Sequence, residues 1–86
     1  MSLRERFLDA IIEGGLGTGL IVTRQSFMDY FSDDNPATTG VFLSNSEIVT
    51  GANHSPTYTH FTQLVREGVY WVHPSALVER MLARGL

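Results

Sequence analysis

Two β-prone runs near the C-terminus constrain this chain most. Phe61-Thr62-Gln63-Leu64-Val65 and Val69-Tyr70-Trp71-Val72 are rich in β-branched and aromatic residues, and only Arg66-Glu67-Gly68 separates them. Such runs joined by a short glycine-containing reversal form a β-hairpin. Tyr70 and Trp71 are adjacent, so one faces the core and the other faces out. An isolated hairpin is marginal in water, and this one needs helices to cover its apolar side.

Upstream residues supply those helices. Ser2 and Glu5 have the S-x-x-E spacing of a capping box. Leu3, Phe7, Ala10 and Ile11 follow at helical spacing, with Leu8 and Ile12 widening the stripe. Gly14 and Gly15 stop this first helix, which spans Ser2 to Glu13. Leu20 to Val22 is a short β-prone run. Thr23 caps a second helix whose apolar face is Phe27, Tyr30 and Phe31, with Met28 alongside. Ser32-Asp33-Asp34-Asn35-Pro36 ends it as a dense turn signal. Asn35 as cap and Pro36 at the first position open a third helix, to about Ile48. Val41, Phe42, Ile48 and Val49 give that helix its apolar surface, and Gly40 weakens it by up to about 1 kcal/mol.

Thr50 to Pro56 reads as a loop. Ser55-Pro56 suits a helix start with Tyr58, Phe61 and Val65 on one face, whereas Tyr58 to Thr62 suits a strand; a helical turn leading into a strand satisfies both. His73-Pro74-Ser75 leads into a last helix. There the pairs Leu77/Met81 and Val78/Leu82 are expected to face in, and Glu79, Arg80 and Arg84 to face out. The chain of 86 residues is one domain, 1–86, of the α+β class.

Composition narrows the function. Net charge is −3, and all six cationic side chains are arginine. Cysteine is absent, which removes disulfides, thiol nucleophiles and cysteine zinc sites and fits a reducing cytoplasm. No run approaches the roughly 20 apolar residues of a membrane span. Arg4 and Arg6 are interrupted by Glu5 and Asp9, unlike a signal peptide. The Met1 start and capped ends favour a free-standing chain over a targeting module of a larger protein.

Catalytic and metal motifs are missing. Gly14 to Gly19 lacks the Gly-Lys-Ser/Thr ending of a phosphate loop and reads as a helix stop and turn. Asp29, Asp33 and Asp34 lack the calcium-loop spacing and its terminal Glu, and solvate a turn. His54, His60 and His73 have no metal-ligand spacing; His60 faces a sheet surface and His73 caps the strand end. No nucleophile, base and pocket constellation stands out, so no catalytic residue, metal or cofactor is expected and the chain reads as a non-enzyme.

The ending Phe61-x-x-x-Val65-x-x-Gly68-Val69-Tyr70 resembles the wing of winged helix-turn-helix modules in bacterial and phage DNA-acting proteins. The resemblance covers the last third by residues and the middle by element order. It implies a winged helix-turn-helix fold, three helices plus a short β-hairpin wing and a C-terminal helix. Thr23 to Phe31 then matches the second helix, Pro36 to Ile48 the recognition helix, and Arg66-Glu67-Gly68 the wing tip. Thr38, Thr39, Ser44 and Asn45 would contact base edges. Arg24 and Arg66 would contact phosphates. The same small polar residues equally suit a solvated helix face, and the candidate recognition helix carries no Arg or Lys.

The leading expectation is a small transcriptional regulator of phage or mobile-element type. It would bind double-stranded DNA in the cytoplasm as a homodimer. Dimerisation doubles a low cation count, and the terminal helices with Arg4, Arg6, Arg80 and Arg84 are the expected dimer elements. The alternative is a protein-interaction module or small inhibitor on the same scaffold, favoured by the acidic charge, the missing lysine and an outward aromatic on the hairpin.

Overall fold

A computed structural model describes residues 1–49, 51 and 60–85 of the chain. The order is α1 (Leu3–Ile12), β1 (Ile21–Thr23), α2 (Arg24–Tyr30), α3 (Pro36–Asn45), β2 (Thr62–Arg66), β3 (Val69–Val72) and α4 (Pro74–Ala83). The architecture is α+β: four helices and one antiparallel three-stranded sheet, in the order β1-β3-β2. The readings made for Ser55-Pro56, Tyr58 and His54 lie outside the described residues.

Local chemistry sets the boundaries. The Ser2 hydroxyl accepts from the Glu5 amide at 3.1 Å, and the Glu5 carboxylate accepts from the Ser2 amide at 3.0 Å. This reciprocal pair satisfies orphan donors at the start of α1. Gly14 ends the helix at φ +78°, a conformation other residues adopt at a steric cost. Gly19, at φ +61°, opens the two-residue reversal between Thr18 and Ile21 that delivers the chain into β1. Thr23 caps α2, its hydroxyl accepting from the Ser26 amide at 3.0 Å. Asn35 Oδ1 accepts from the Ala37 amide at 3.0 Å, and Pro36 occupies the first turn of α3. His73 caps α4 through Nδ1, which accepts from the Ser75 amide at 3.2 Å.

The hairpin pairs Thr62 with Val72, Gln63 with Trp71 and Leu64 with Tyr70. The register then shifts by one before Arg66 meets Val69, so Val65 is the extra residue of a β-bulge. Tyr70 is the inward member of the aromatic pair, and Trp71 is half-buried on the other face.

Phenylalanines fill the centre. Phe7 meets Phe27 edge-on at 5.1 Å, and Phe27 stacks on Phe42 at 5.2 Å with the rings 9° apart. Phe42 and Phe61 lie 5.9 and 6.1 Å from Phe7. The helices and the sheet therefore close on a single aromatic cluster.

Expected faces are corrected on three helices. On α4, Ala76 is buried and Leu77 packs against the core, but Val78, Met81 and Leu82 point to solvent. Arg80, expected to face out, turns toward α1 with its side chain 14% exposed. Its guanidinium donates to Asp9 at 2.8 and 3.0 Å and to Glu5 at 3.0 Å. Arginine thus takes the place that an aliphatic stripe was expected to fill. On α2, Tyr30 stays half-exposed while Phe27 and Phe31 go in. The third helix ends at Asn45 rather than near Ile48; on it Leu43 joins Phe42 in the core while Val41 stays exposed, and Ile48 and Val49 beyond its end are exposed too.

These ion pairs make stability depend on pH. The Arg80 guanidinium holds the Asp9 carboxyl below its ordinary value of 3.8. Hydrogen bonds from Ser2, backbone then side chain, with Arg80 nearby, hold Glu5 below 4.5. Both carboxyls are depressed in the fold, so their stabilisation is complete above those ordinary values and is lost as pH falls through the folded ones. The thermal midpoint is expected to begin falling as pH drops below about 5 and to keep falling through the folded values, and Asp9→Asn is expected to flatten that fall. A midpoint equally pH-sensitive in Asp9→Asn would place the dependence elsewhere.

Candidate nucleic-acid interface

The residues singled out for nucleic-acid contact sit on α2, on α3 and at the end of β2. Arg24 is the first residue of α2. Its amide donates to the Gly68 carbonyl in the hairpin turn at 2.8 Å, and its Nε donates to the Gly40 carbonyl on α3 at 2.8 Å. A Cβ at position 40 would approach the Arg24 guanidinium to 3.0 Å, so glycine there lets the arginine lie against α3. Arg24 consequently ties α2, α3 and the hairpin turn together. An open cleft of about 520 Å³ lies between these elements, lined by Arg24, Gln25, Gly40, Ser44, Glu67 and Tyr70.

The predicted residues divide. Thr38 and Ser44 are exposed on α3, and Arg66 is exposed beside the hairpin turn. The Ser44 hydroxyl donates back to the Val41 carbonyl at 3.0 Å. Asn45 is half-buried at the end of α3. Thr39 corrects the expectation: it is 2% exposed, and its hydroxyl reaches the Asn35 carbonyl at 3.5 Å. It cannot touch a base edge. Thr39, Phe42, Leu43 and Ser46 follow the i, i+3, i+4, i+7 spacing of a buried stripe, and all four are buried. That spacing was present in the sequence.

Sequence reasoning passed over Gln25 and Gly40 as parts of this surface. Gly40 had a signal, a glycine inside an otherwise regular helix. The cleft residues come together only through tertiary packing.

Charge is divided across the molecule. Arg6 pairs with Asp34 at 2.7 Å, Arg80 with Asp9 and Glu5, and Arg84 with Asp9 at 3.2 Å and Glu13 at 3.5 Å. Arg4 packs over the Phe61 ring at 5.2 Å. The terminal arginines expected to build a dimer face are therefore engaged inside the subunit. Among the described residues, Arg24 and Arg66 pair with no carboxylate, and both border α3 or the hairpin turn. Glu67 beside Arg66 reduces the local positive potential. The described residues contain no group of three or more His, Asp or Glu placed to hold a metal, and no helix among them is long and apolar enough to cross a membrane.

Compared with known proteins, the chain matches no family model, no curated protein and no solved structure.

Proposed function

We propose that this chain is a winged-helix DNA-binding protein, a small cytoplasmic transcriptional regulator of phage or mobile-element type that acts as a homodimer. One observation carries the reading: Arg24, which no described carboxylate neutralises, lies against α3 at Gly40 and bonds the hairpin turn at Gly68, and Arg66, likewise unneutralised, ends β2 next to that turn. The element order and the sheet order β1-β3-β2 support it, since they set α3 and the hairpin side by side. On this reading α3 enters the major groove while Arg24 beside it and Arg66 at the wing hold phosphates. Two arginines per copy give modest affinity, and a second copy on a symmetric site doubles the phosphate contacts.

The test is binding to mixed-sequence duplex DNA by fluorescence anisotropy across a salt series. Affinity is expected to fall steeply with salt. Arg24→Ala and Arg66→Ala are each expected to reduce the log–log salt slope by about 1. Absence of binding at low salt overturns the proposal.

A second reading rests on a different surface. Ile21, Leu64, Val65 and Trp71, with Gln63, line an uncharged depression on the sheet. This suits a protein-interaction module or small inhibitor without enzymatic activity. It is favoured if duplex binding fails and Val65→Asp abolishes a stoichiometric complex with one purified partner.

A further inference from the structure

The outward face of α3 has an unusual chemistry for a groove-reading helix. At about 100° per residue, Ser44, Ala37, Val41, Asn45 and Thr38 follow one another around an arc of roughly 120°. Val41 stands near the middle of that arc and is 43% exposed. Ala37, Thr38 and Ser44 are exposed around it, and Asn45 is half-buried at one side. The Ser44 hydroxyl is already turned back onto the Val41 carbonyl. The middle of the face is therefore alkyl: the Ala37 methyl and the two Val41 methyls.

Such a surface can discriminate few base pairs. Guanine is read through bidentate contacts from Arg or Lys, and α3 carries neither. Arg24 cannot substitute freely, because its Nε is bonded to Gly40 at the flank of the helix. The base group that alkyl side chains do recognise is the thymine 5-methyl, which projects into the major groove. Asn45, next to Val41 on the same arc, has the donor–acceptor pair that matches adenine. Both features select A·T pairs.

We infer that α3 reads thymine through its 5-methyl group, with Val41 as the central contact. This rests on the DNA-binding reading above and deepens it by naming what the face selects. Binding to A·T-rich duplex comes from methyl-to-methyl burial, so specificity survives high salt better than overall affinity does, because burial of apolar groups is not screened.

The experiment compares alternating poly(dA–dT) with alternating poly(dA–dU), which differ only by that methyl. A second pair, alternating poly(dG–dC) with and without 5-methylcytosine, restores a methyl at the same groove position in a G·C context. The dT duplex is expected to bind more tightly than the dU duplex by about fourfold per methyl contacted, the worth of one buried methyl group. Methylated cytosine is expected to recover part of that gain. Val41→Ala, at an exposed position that leaves the core untouched, is expected to shrink both differences. Equal salt-dependent binding to dT and dU duplexes overturns the inference while DNA binding stands. A dT preference that persists in Val41→Ala, or that methylcytosine does not mimic, overturns it in favour of A·T groove shape. No binding to any of the four overturns the DNA-binding reading itself.

Discussion

Replacing Phe7 with alanine is expected to cost about 3–5 kcal/mol of folding free energy, the usual range for emptying a buried aromatic site. Phe7 is fully buried and meets Phe27, Phe42 and Phe61. It therefore joins α1 to α2, to α3 and to the start of the hairpin at one point. Small domains have total stabilities of about 5–15 kcal/mol, so this loss removes a large share of the total. The cavity cannot close easily, because the stacked Phe27–Phe42 pair holds its opposite wall. Urea unfolding reads the outcome as a lower midpoint at unchanged slope. Phe7→Leu retains much of the volume and is expected to cost less than half as much, whereas Tyr30→Ala, at a half-exposed position, is expected to cost under about 1 kcal/mol. If Phe7→Ala unfolded no earlier than Tyr30→Ala, the aromatic cluster would not be the organising core.

Glu47 is the second sensitive position, for a different reason. The residue is 4% exposed, and its carboxylate accepts from the Val49 amide at 2.8 Å and the Leu64 amide at 3.1 Å. It connects the segment after α3 to β2, where Ile48 and Ser46 also bond the backbone of Thr62. A buried carboxylate is tolerated because these donors compensate its lost hydration. Glu47→Ala leaves two amides without that acceptor, at about 1–3 kcal/mol for each group left unsatisfied. Glu47→Gln keeps one carbonyl acceptor and is expected to lose about half as much. Hydrogen exchange gives the sharper readout: the amides of Val49 and Leu64 are expected to lose protection in Glu47→Ala before those of Val22 or Val72. Uniform loss of protection would mean that Glu47 supports the whole fold rather than this junction.

Caps and turns were legible in the sequence because they are local. Ser2/Glu5, Thr23, Asn35-Pro36 and the Gly68 turn each depend on residues within a few positions, and each forms where the residue types placed it. The faces of the helices were less legible, because they depend on what lies opposite. Leu77, Val78, Met81 and Leu82 formed a convincing apolar stripe, yet α4 turns Arg80 toward α1, where Asp9 and Glu5 are waiting. Periodicity cannot show that an acidic pair on a distant helix will outcompete a leucine. Thr39 was misplaced because its polarity suggested exposure, whereas the phase set by Phe42 and Leu43 buries it. Glu47 was not singled out because its acceptor role exists only once β2 arrives beside it. Of the surface proposed for DNA, Arg24, Thr38, Ser44 and Arg66 were legible as exposed polar residues, and their neighbours in the cleft were not.

The bonds that flank the sheet have one more consequence. β1 and β2 are its outer strands, and outer strands ordinarily offer bare amides and carbonyls on which further strands can grow. Here Thr18 exchanges both backbone bonds with Ile21 along β1. Along β2, Ser46, Ile48 and the Glu47 carboxylate take up the outward groups of Thr62 and the amide of Leu64. Strand-by-strand polymerisation is therefore blocked on β1 at Ile21 and on the first half of β2. Along those stretches, association with another copy or another molecule must be made through side chains.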